Sequence, residues 1–122
     1  MVPVHPRISV EYRKEAAVVS FTDEKILEER DILALQNSIM SVVDQSEIPI
    51  LILDFSKVAF LSSAVLGLLI RLSKKIYEKN GDLLLCNIAP KIYEIFKITK
   101  LTGVFNIFID VDAALDSLEQ QS

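Results

Sequence analysis

The sequence is poor in the residues from which catalytic and metal centres are built. It has one cysteine, Cys86, and one histidine, His5, in 122 residues. A single cysteine excludes both an intrachain disulfide and a thiolate metal cluster, and Cys86 lies in an apolar run that predicts an inert core thiol. His5 stands between two prolines, where a Ser-His-Asp triad would lack a fixed scaffold. We therefore expect no catalytic residue, no metal, no cofactor and no enzyme activity.

Glycines and long apolar runs are also scarce. The three glycines are widely separated, so neither of the glycine-rich motifs that bind nucleotide phosphates is present. No apolar run approaches the roughly 20 residues that span a membrane, and residues 1–7 lack the apolar core of a signal peptide. These features predict a cytoplasmic protein that does not insert into a membrane.

Positive charge is thinly spread along the chain. Thirteen Lys and Arg against 17 Asp and Glu give a net charge of −4, which disfavours nucleic acid as a partner. The densest basic group lies on one predicted helix and consists of Arg71, Lys74, Lys75 and Lys79. Because their spacing is three and four residues, we interpret them as a solvated helix face and not as a phosphate site.

Hydrophobic periodicity predicts an α/β fold with the order β-β-α-β-α-β-α-β-α. The predicted strands are 8–12, 16–21, 48–55, 83–86 and 104–109. The predicted helices are 29–44, 63–80, one opened by Pro90, and one capped by Asp110 or Asp112. Asn80-Gly81 is the predicted stop signal of the helix at 63–80, with Gly81 as its C-cap. Short connections indicate a mostly parallel sheet with an N-terminal antiparallel hairpin and packed helices. We assign residues 1–7 to an irregular lead-in, 8–118 to one domain and 119–122 to a frayed C-terminus.

The chain is organised around residues 48–75. A near-continuous apolar strand, typical of burial on both faces, is followed by a polar turn and then by a helix that begins at Ser62–Ser63. Serine is a preferred N-cap residue, so Ser62 is expected to accept a hydrogen bond from the first turn of the helix. Ligands and partners of open α/β sheets bind at this carboxyl end of an interior strand.

This stretch resembles the core motif of the STAS domain, named for sulfate transporters and anti-sigma factor antagonists. Residues 54–56 match the Asp-(Leu/Phe)-Ser of the family. Residues 58–61 match its short hydrophobic step, and residues 66–67 match its closing Leu-Gly. Gly81 and Pro90 also stand where the family commonly has a Gly and a Pro. The resemblance covers roughly residues 8–118 and implies a STAS-like single domain.

The middle of the motif departs from the family pattern. Ser62 stands in place of the usual Asp, and Ser63 corresponds to the first Ser of the motif. Ala64 lies where the phosphorylated Ser or Thr is usual, and Val65 replaces a Gly. Phosphorylation at this site therefore has Ser63 as its first candidate and Ser62 as its second.

The resemblance implies a regulatory protein of the anti-sigma factor antagonist type. Such proteins bind an anti-sigma factor, often a serine kinase, and so release a sigma factor in bacterial signalling and transcription. Phosphorylation of the motif serine weakens that binding. We expect a monomer or a weak homodimer.

The partner-binding surface is predicted on the helix that follows the motif. Leu66 and Ile70 lie outside the buried stripe of this helix, so they are either covered by loops or part of a docking patch. The resemblance adds the loop after the second strand. The predicted partner-binding residues are Ser62, Ser63, Leu66, Gly67, Ile70, Asp23 and Lys25.

Two other functions remain open from the sequence. One is a non-phosphorylated STAS scaffold or subunit, in a signalling complex or in a lipid-transport ATPase. The other is a small-molecule sensor, which would need a pocket near Ser56, Ser62 and Ser63.

Overall fold

The structure, a computed structural model, describes residues 7–119. Within that range the strands are β1 Ile8–Arg13, β2 Ala16–Phe21, β3 Lys25–Ile26, β4 Ile50–Asp54, β5 Phe60–Leu61, β6 Asp82–Cys86 and β7 Asn106–Phe108. The helices are α1 Glu29–Asp44, α2 Ser63–Glu78, α3 Pro90–Ile98 and α4 Val111–Glu119, with a 3₁₀ helix at Leu101–Gly103. Apart from Arg7 and Glu119, the predicted lead-in and frayed C-terminus lie outside the described residues.

Five strands form one sheet in the order β1-β2-β4-β6-β7. The β1–β2 hairpin is antiparallel, and the other three pairings are parallel. The predicted fold class is thus confirmed. Because β4 and β6 are the neighbours at the centre, their apolar runs are buried on both faces, as expected for interior parallel strands.

The sheet separates two apolar clusters. Helices α1, α2 and α3 cover one face, where alternate strand residues such as Val19, Leu53 and Leu85 join the main core. Helix α4 alone covers the other face, where Ala114 and Leu115 pack with residues of β2, β4 and β6. The alternation of side chains along each strand assigns successive residues to the two clusters.

Several elements differ from the sequence-based prediction. The strand predicted at 48–55 spans Ile50–Asp54, and the helix predicted at 63–80 spans Ser63–Glu78. The loop predicted at 22–28 contains β3, which pairs in parallel with β5 to form a separate two-stranded sheet. The last strand was predicted at 104–109 but spans Asn106–Phe108. Its first residues instead close a turn, since the amides of Val104 and Phe105 both donate to the Leu101 carbonyl at 3.0 Å.

The end of α2 is closed by Asn80 and Gly81, but their roles differ from those predicted. Asn80, and not Gly81, has the left-handed conformation, with φ 61°. The amides of Asn80 and Gly81 donate to the carbonyls of Tyr77 and Ile76 at 3.0 and 2.9 Å, which is the Schellman arrangement. Gly81 is required for a different reason: a Cβ there would lie 1.9 Å from the Pro49 carbonyl oxygen.

We predict that Gly81→Ala destabilises the fold by about 1–3 kcal/mol, because the added methyl group forces the backbones of Gly81 and Pro49 apart. Gly103→Ala is the matched control, since no atom lies within 4 Å of its Cβ position. Urea unfolding followed by circular dichroism measures both. Equal stability of the two variants would contradict the proposed close approach.

Candidate functional site

The candidate site lies at the carboxyl edge of the sheet, where Asp54 connects three strand ends. Asp54 Oδ1 accepts hydrogen bonds from the Ser56 backbone amide at 2.9 Å and from Asn87 Nδ2 at 3.0 Å. The Ser20 hydroxyl donates to Oδ2 over a longer distance, 3.4 Å. The Asp54-Phe55-Ser56 turn is therefore held to the ends of β2 and β6, and it directs the chain toward β5 and α2.

The β3–β5 sheet brings the two predicted partner-binding segments together. Lys25 is opposite Phe60 and Ile26 is opposite Leu61. The Ala59 amide donates to the Glu24 carbonyl at 2.8 Å, and the Ser62 amide donates to the Ile26 carbonyl at 3.0 Å. The loop after β2 and the start of α2 thus form one continuous surface.

Lys25 and Phe60 both lie on the outside of this surface. The Lys25 ammonium group is 5.5 Å from the centre of the Phe60 ring, within the range of a cation–π interaction. Phe60 is 48% exposed. Sequence reasoning selected Lys25 but missed Phe60, because a two-residue strand shows no periodicity that would predict its pairing.

Arg7 positions Asp23, the other residue predicted in this loop. The Arg7 guanidinium contacts Asp23 Oδ2 at 2.7 Å and Asp31 Oδ1 at 2.9 Å. The hydrogen bond to Asp23 raises the pKa of Arg7, so the guanidinium stays charged. Arg7 was assigned to the irregular lead-in, and nothing in its sequence context predicts this contact.

The two serines of the motif have different environments. Ser62 occupies the N-cap position with φ −86° and ψ 162° but makes no side-chain capping bond, so the predicted capping bond is wrong. Its backbone is held by Ile26, and its hydroxyl oxygen is buried without a hydrogen-bond partner among residues 7–119. Ser63 is exposed. Of the two, Ser63 alone presents an accessible hydroxyl.

The structure corrects one residue of the predicted docking patch. Leu66 is 6% exposed and belongs to the main core, because α2 connects the two central strands and buries more than one stripe. Ile70 is 36% exposed, and Gly67 is half-buried. The exposed second face of α2 therefore includes Ile70 but not Leu66.

Cys86 lies in the small core beneath α4 and is fully buried. Burial raises the pKa of its thiol from 9.0 to about 12, with smaller contributions from the Asp54 and Asp110 carboxylates. The thiol is therefore protonated at neutral pH, and since the thiolate is the reactive form, Cys86 has the character of an inert core residue.

A cavity of about 440 Å³ opens at the amino edge of the sheet, where its lining includes Lys14, Ile50 and Leu118, far from the three serines of the sensor hypothesis. In the described part of the chain, no group of three His, Cys, Asp or Glu side chains could hold a metal ion. None of the helices within residues 7–119 is long and apolar enough to cross a membrane.

Comparisons with known proteins identify the family. The model of the STAS domain matches residues 9–114. Since this match covers most of the chain, the protein belongs to the STAS domain family, as the motif resemblance predicted. Its domain is similar to those of anti-sigma factor antagonists.

Three relatives illustrate this similarity. BtrV of Bordetella bronchiseptica, provisionally named an anti-sigma factor antagonist, is 28% identical over 80 residues, which cover 66% of this chain and 68% of BtrV. An anti-sigma-factor antagonist (STAS) domain protein from Planctomyces limnophilus superimposes with a TM-score of 0.84 at 22% identity, covering 92% of this chain and 97% of that one. The Bacillus cell fate determinant SpoIIAA in its phosphorylated form gives a TM-score of 0.68 at 17% identity, covering 91% and 98%.

We predict that Ser62→Ala does not lower the free energy of unfolding, because the hydroxyl that is lost is buried and makes no hydrogen bond. Asp110→Ala is the comparison, since Asp110 Oδ1 accepts the Ala113 amide at 2.8 Å as the N-cap of α4. Loss of that cap should cost about 1 kcal/mol. A loss of about 1 kcal/mol in both variants, measured by urea unfolding, would mean that Ser62 does cap α2.

We predict that the folded core protects the Cys86 thiol. At pH 8 folded Cys86 should react with Ellman's reagent about 100-fold or more slowly than the urea-unfolded chain, because reaction requires opening of the core.

From pH 9.0 to about 12 the unfolded thiol loses its proton while the folded thiol keeps it, so the free energy of unfolding should fall as the pH rises. Cys86→Ala should lessen that fall. Rapid labelling of the folded protein would contradict the buried placement.

Proposed function

We propose that this protein is an anti-sigma factor antagonist of a bacterial signalling pathway. It binds an anti-sigma factor and so releases a sigma factor for transcription. Support comes from the family membership and from the names of the relatives, BtrV and the Planctomyces limnophilus protein among them. In this proposal the protein is a cytoplasmic regulator, a monomer or a weak homodimer, and not an enzyme.

The observation that carries the proposal is the continuous surface at the carboxyl edge of the sheet. The β3–β5 pairing joins the loop that contains Asp23 and Lys25 to the start of α2. Ser63 and Ile70 are exposed beside it. Exposed aromatic residues such as Phe60, which is 48% exposed, are enriched at protein-binding sites.

The proposed anti-sigma factor is a serine kinase that phosphorylates Ser63. The Ser63 hydroxyl is accessible at the first position of α2, whereas the buried hydroxyl of Ser62 makes that residue a poor acceptor. A phosphate adds about −1.5 to −2 charges, and a helix N-terminus stabilises negative charge. The modification therefore preserves the fold and acts on the partner, which meets added charge and bulk. SpoIIAA, a relative in fold, has been solved in a phosphorylated form.

The proposal is tested by affinity capture of the tagged protein from its own cells. Mass spectrometry identifies the bound proteins and measures the peptide that contains Ser62 and Ser63. Recovery of an anti-sigma factor with kinase homology supports antagonism. Recovery of subunits of a signalling complex or of a transport ATPase, with no anti-sigma factor, would instead favour the scaffold function.

We predict that Ser63→Asp weakens binding to the captured anti-sigma factor about 10-fold or more, because it places negative charge inside the interface. Ser46→Asp is the matched control: it adds the same charge in the connection before β4, at the opposite edge of the sheet. Ser63→Ala should keep the binding and abolish phosphorylation. Titration calorimetry measures the affinities, and full binding by Ser63→Asp would contradict a switch at this residue.

A further inference from the structure

The two edges of the main sheet differ in charge. The edge strand β1 exposes charged side chains, among them Glu11 and Arg13, and charge on an edge strand disfavours pairing with another chain. The opposite edge is β7, Asn106–Phe108, which carries no charged residue. Within residues 7–119 no strand pairs with the outer side of β7. Its outward N–H and C=O groups are therefore available to a further strand.

Exposed aliphatic side chains lie at both ends of β7. Ile109, directly after the strand, is 82% exposed, and Val104, two residues before it, is 53% exposed. Because β6 and β7 are parallel, α3 returns the chain to the amino end of β7. Ile98, the last residue of α3, is 79% exposed there. Covering these side chains with a second chain removes apolar surface from water and so stabilises association.

A small apolar groove lies beside the carboxyl end of β7. It has a volume of about 260 Å³ and is lined by Ile88, Tyr93, Ile107, Phe108 and Ile109. None of these side chains is charged, so the groove favours an aliphatic side chain over an ionic group. Its walls belong to the connection after β6, to α3 and to the end of β7, so a chain that pairs with β7 passes next to it.

The charges at the two ends of β7 have opposite sign. At the amino end, the exposed Lys100 has no carboxylate within 4.0 Å among the described residues. At the carboxyl end, Asp110 is exposed and caps α4 through the Ala113 amide at 2.8 Å. No ion pair within residues 7–119 compensates its charge. Two antiparallel β7 strands bring unlike ends together, whereas two parallel strands bring like ends together.

We propose that two copies of this chain form a dimer by antiparallel pairing of their β7 strands around a two-fold axis that passes through Ile107. Since β7 has three residues, only this register pairs all of them. Ile107 lies opposite Ile107 of the second copy, and Asn106 lies opposite Phe108. Residues on the same face of the sheet are thus paired, as a two-fold axis perpendicular to the sheet requires.

The same register brings the flanking residues together. Ile109 lies next to Val104 of the second copy, so exposed aliphatic side chains cover each other beside the apolar groove. Asp110 lies opposite that Val104, one 3₁₀ turn from Lys100 of the second copy, so unlike charges attract. Because the two-fold axis repeats each contact, one uncharged edge with unlike charges at its ends is complementary to itself. This self-complementarity identifies a second copy as the occupant.

The proposed dimer leaves the β3–β5 surface open. β3 and β5 directly follow β2 and β4 in the chain, and β6 separates those two strands from β7. The dimer therefore presents this surface twice, which strengthens binding to a partner that is itself dimeric. The inference goes beyond the proposed function and does not rest on it. Since β7 is short, it supplies few main-chain hydrogen bonds, and we expect a weak dimer.

The first test compares Ile109→Lys with Ile48→Lys. Both variants add one positive charge at an exposed isoleucine, but Ile48, 59% exposed, lies in the connection before β4 at the opposite end of the strands. Thermal unfolding verifies that both fold. Sedimentation velocity at about 1 μM to 1 mM protein, the range of weak association, measures the dissociation constant. We expect Ile109→Lys to raise it about 10-fold or more, because the new ammonium group meets Val104 and Lys100, and Ile48→Lys to match the wild type.

The second test locates the two-fold axis by cross-linking in a Cys86→Ala background. Ile107→Cys places the two thiols directly opposite each other, with Cβ atoms about 4.5–5.5 Å apart, whereas Asn106→Cys places them on a diagonal of about 7–8 Å. We expect copper phenanthroline to form the disulfide dimer of Ile107→Cys about 10-fold or more faster than that of Asn106→Cys, because a disulfide needs the shorter separation. Equal rates would overturn the register. The sedimentation test does not depend on the stability of these variants.

The third test concerns the charges. Asp110→Asn removes the charge and keeps a good N-cap residue, and Asp116→Asn is its matched control at an exposed position of α4. We expect Asp110→Asn to weaken the dimer about threefold at about 50 mM salt and to have no effect at about 500 mM, where the interaction is screened. Equal effects of the two variants would contradict the contact with Lys100.

The remaining outcomes decide between occupants. A wild type that stays monomeric throughout the concentration range would overturn the inference and leave the proposed function intact. A dimer that Ile109→Lys does not weaken, or that Ile48→Lys weakens equally, would place the interface elsewhere and overturn it as well. A foreign protein that binds the monomeric wild type and Ile48→Lys but not Ile109→Lys would overturn the assignment of β7 to a second copy.

Discussion

The burial of β4 on both faces is the constraint on which the rest of the structure depends. Leu51 and Leu53 face the three-helix layer while Ile52 faces α4, so β4 must lie inside the sheet with strands on either side. Parallel pairing then brings the carboxyl ends of β2, β4 and β6 to one edge. The turn after β4 delivers the chain to α2 at that edge, and Asp54 holds the turn in place through Ser56 and Asn87. The candidate site is thus a consequence of where one apolar strand has to lie.

The site is built mainly from backbone hydrogen bonds. Carbonyl groups of Glu24 and Ile26 accept the amides that lead into α2, and this pairing places Lys25 beside Phe60. Arg7 adds a side-chain connection by holding Asp23. Stability and recognition are accordingly carried by different atoms: main-chain groups hold the two segments together, while the side chains that point outward remain available to a partner.

Most of the fold could be predicted from the sequence because the long elements are strongly periodic. Helix α1 has the predicted bounds, Glu29–Asp44, since its apolar stripe and its polar flanks agree. The pairing of β3 with β5 could not be predicted, because two residues are too few to show a period. Sequence reasoning chose Asn80-Gly81 correctly as the stop of α2, but only the structure shows that Asn80 takes the left-handed conformation and that Gly81 lies against Pro49.

The candidate site was less predictable than the fold. Residue type suggested that Ser62 caps α2, but capping depends on the direction of one hydroxyl, and that hydroxyl is buried without a hydrogen-bond partner among residues 7–119. Similarly, the position of Leu66 outside a single apolar stripe suggested that its side chain is exposed. The two strands beneath the helix instead widen the buried face of α2, so that this face includes Leu66. Asp110 and Asp112 were equivalent cap candidates in the sequence. The structure distinguishes them, because Asp110 caps α4 whereas Asp112 lies near Arg13.

The backbone nature of the β3–β5 pairing has a consequence for how such proteins diverge. Every residue except proline can supply the amide and carbonyl groups that join the two segments. Mutations at outward positions such as Lys25 or Phe60 can therefore accumulate without separating the loop from the helix. Paralogous copies of one chain could acquire different partners in this way while keeping a common fold, so that several parallel pathways in one cell remain insulated from one another.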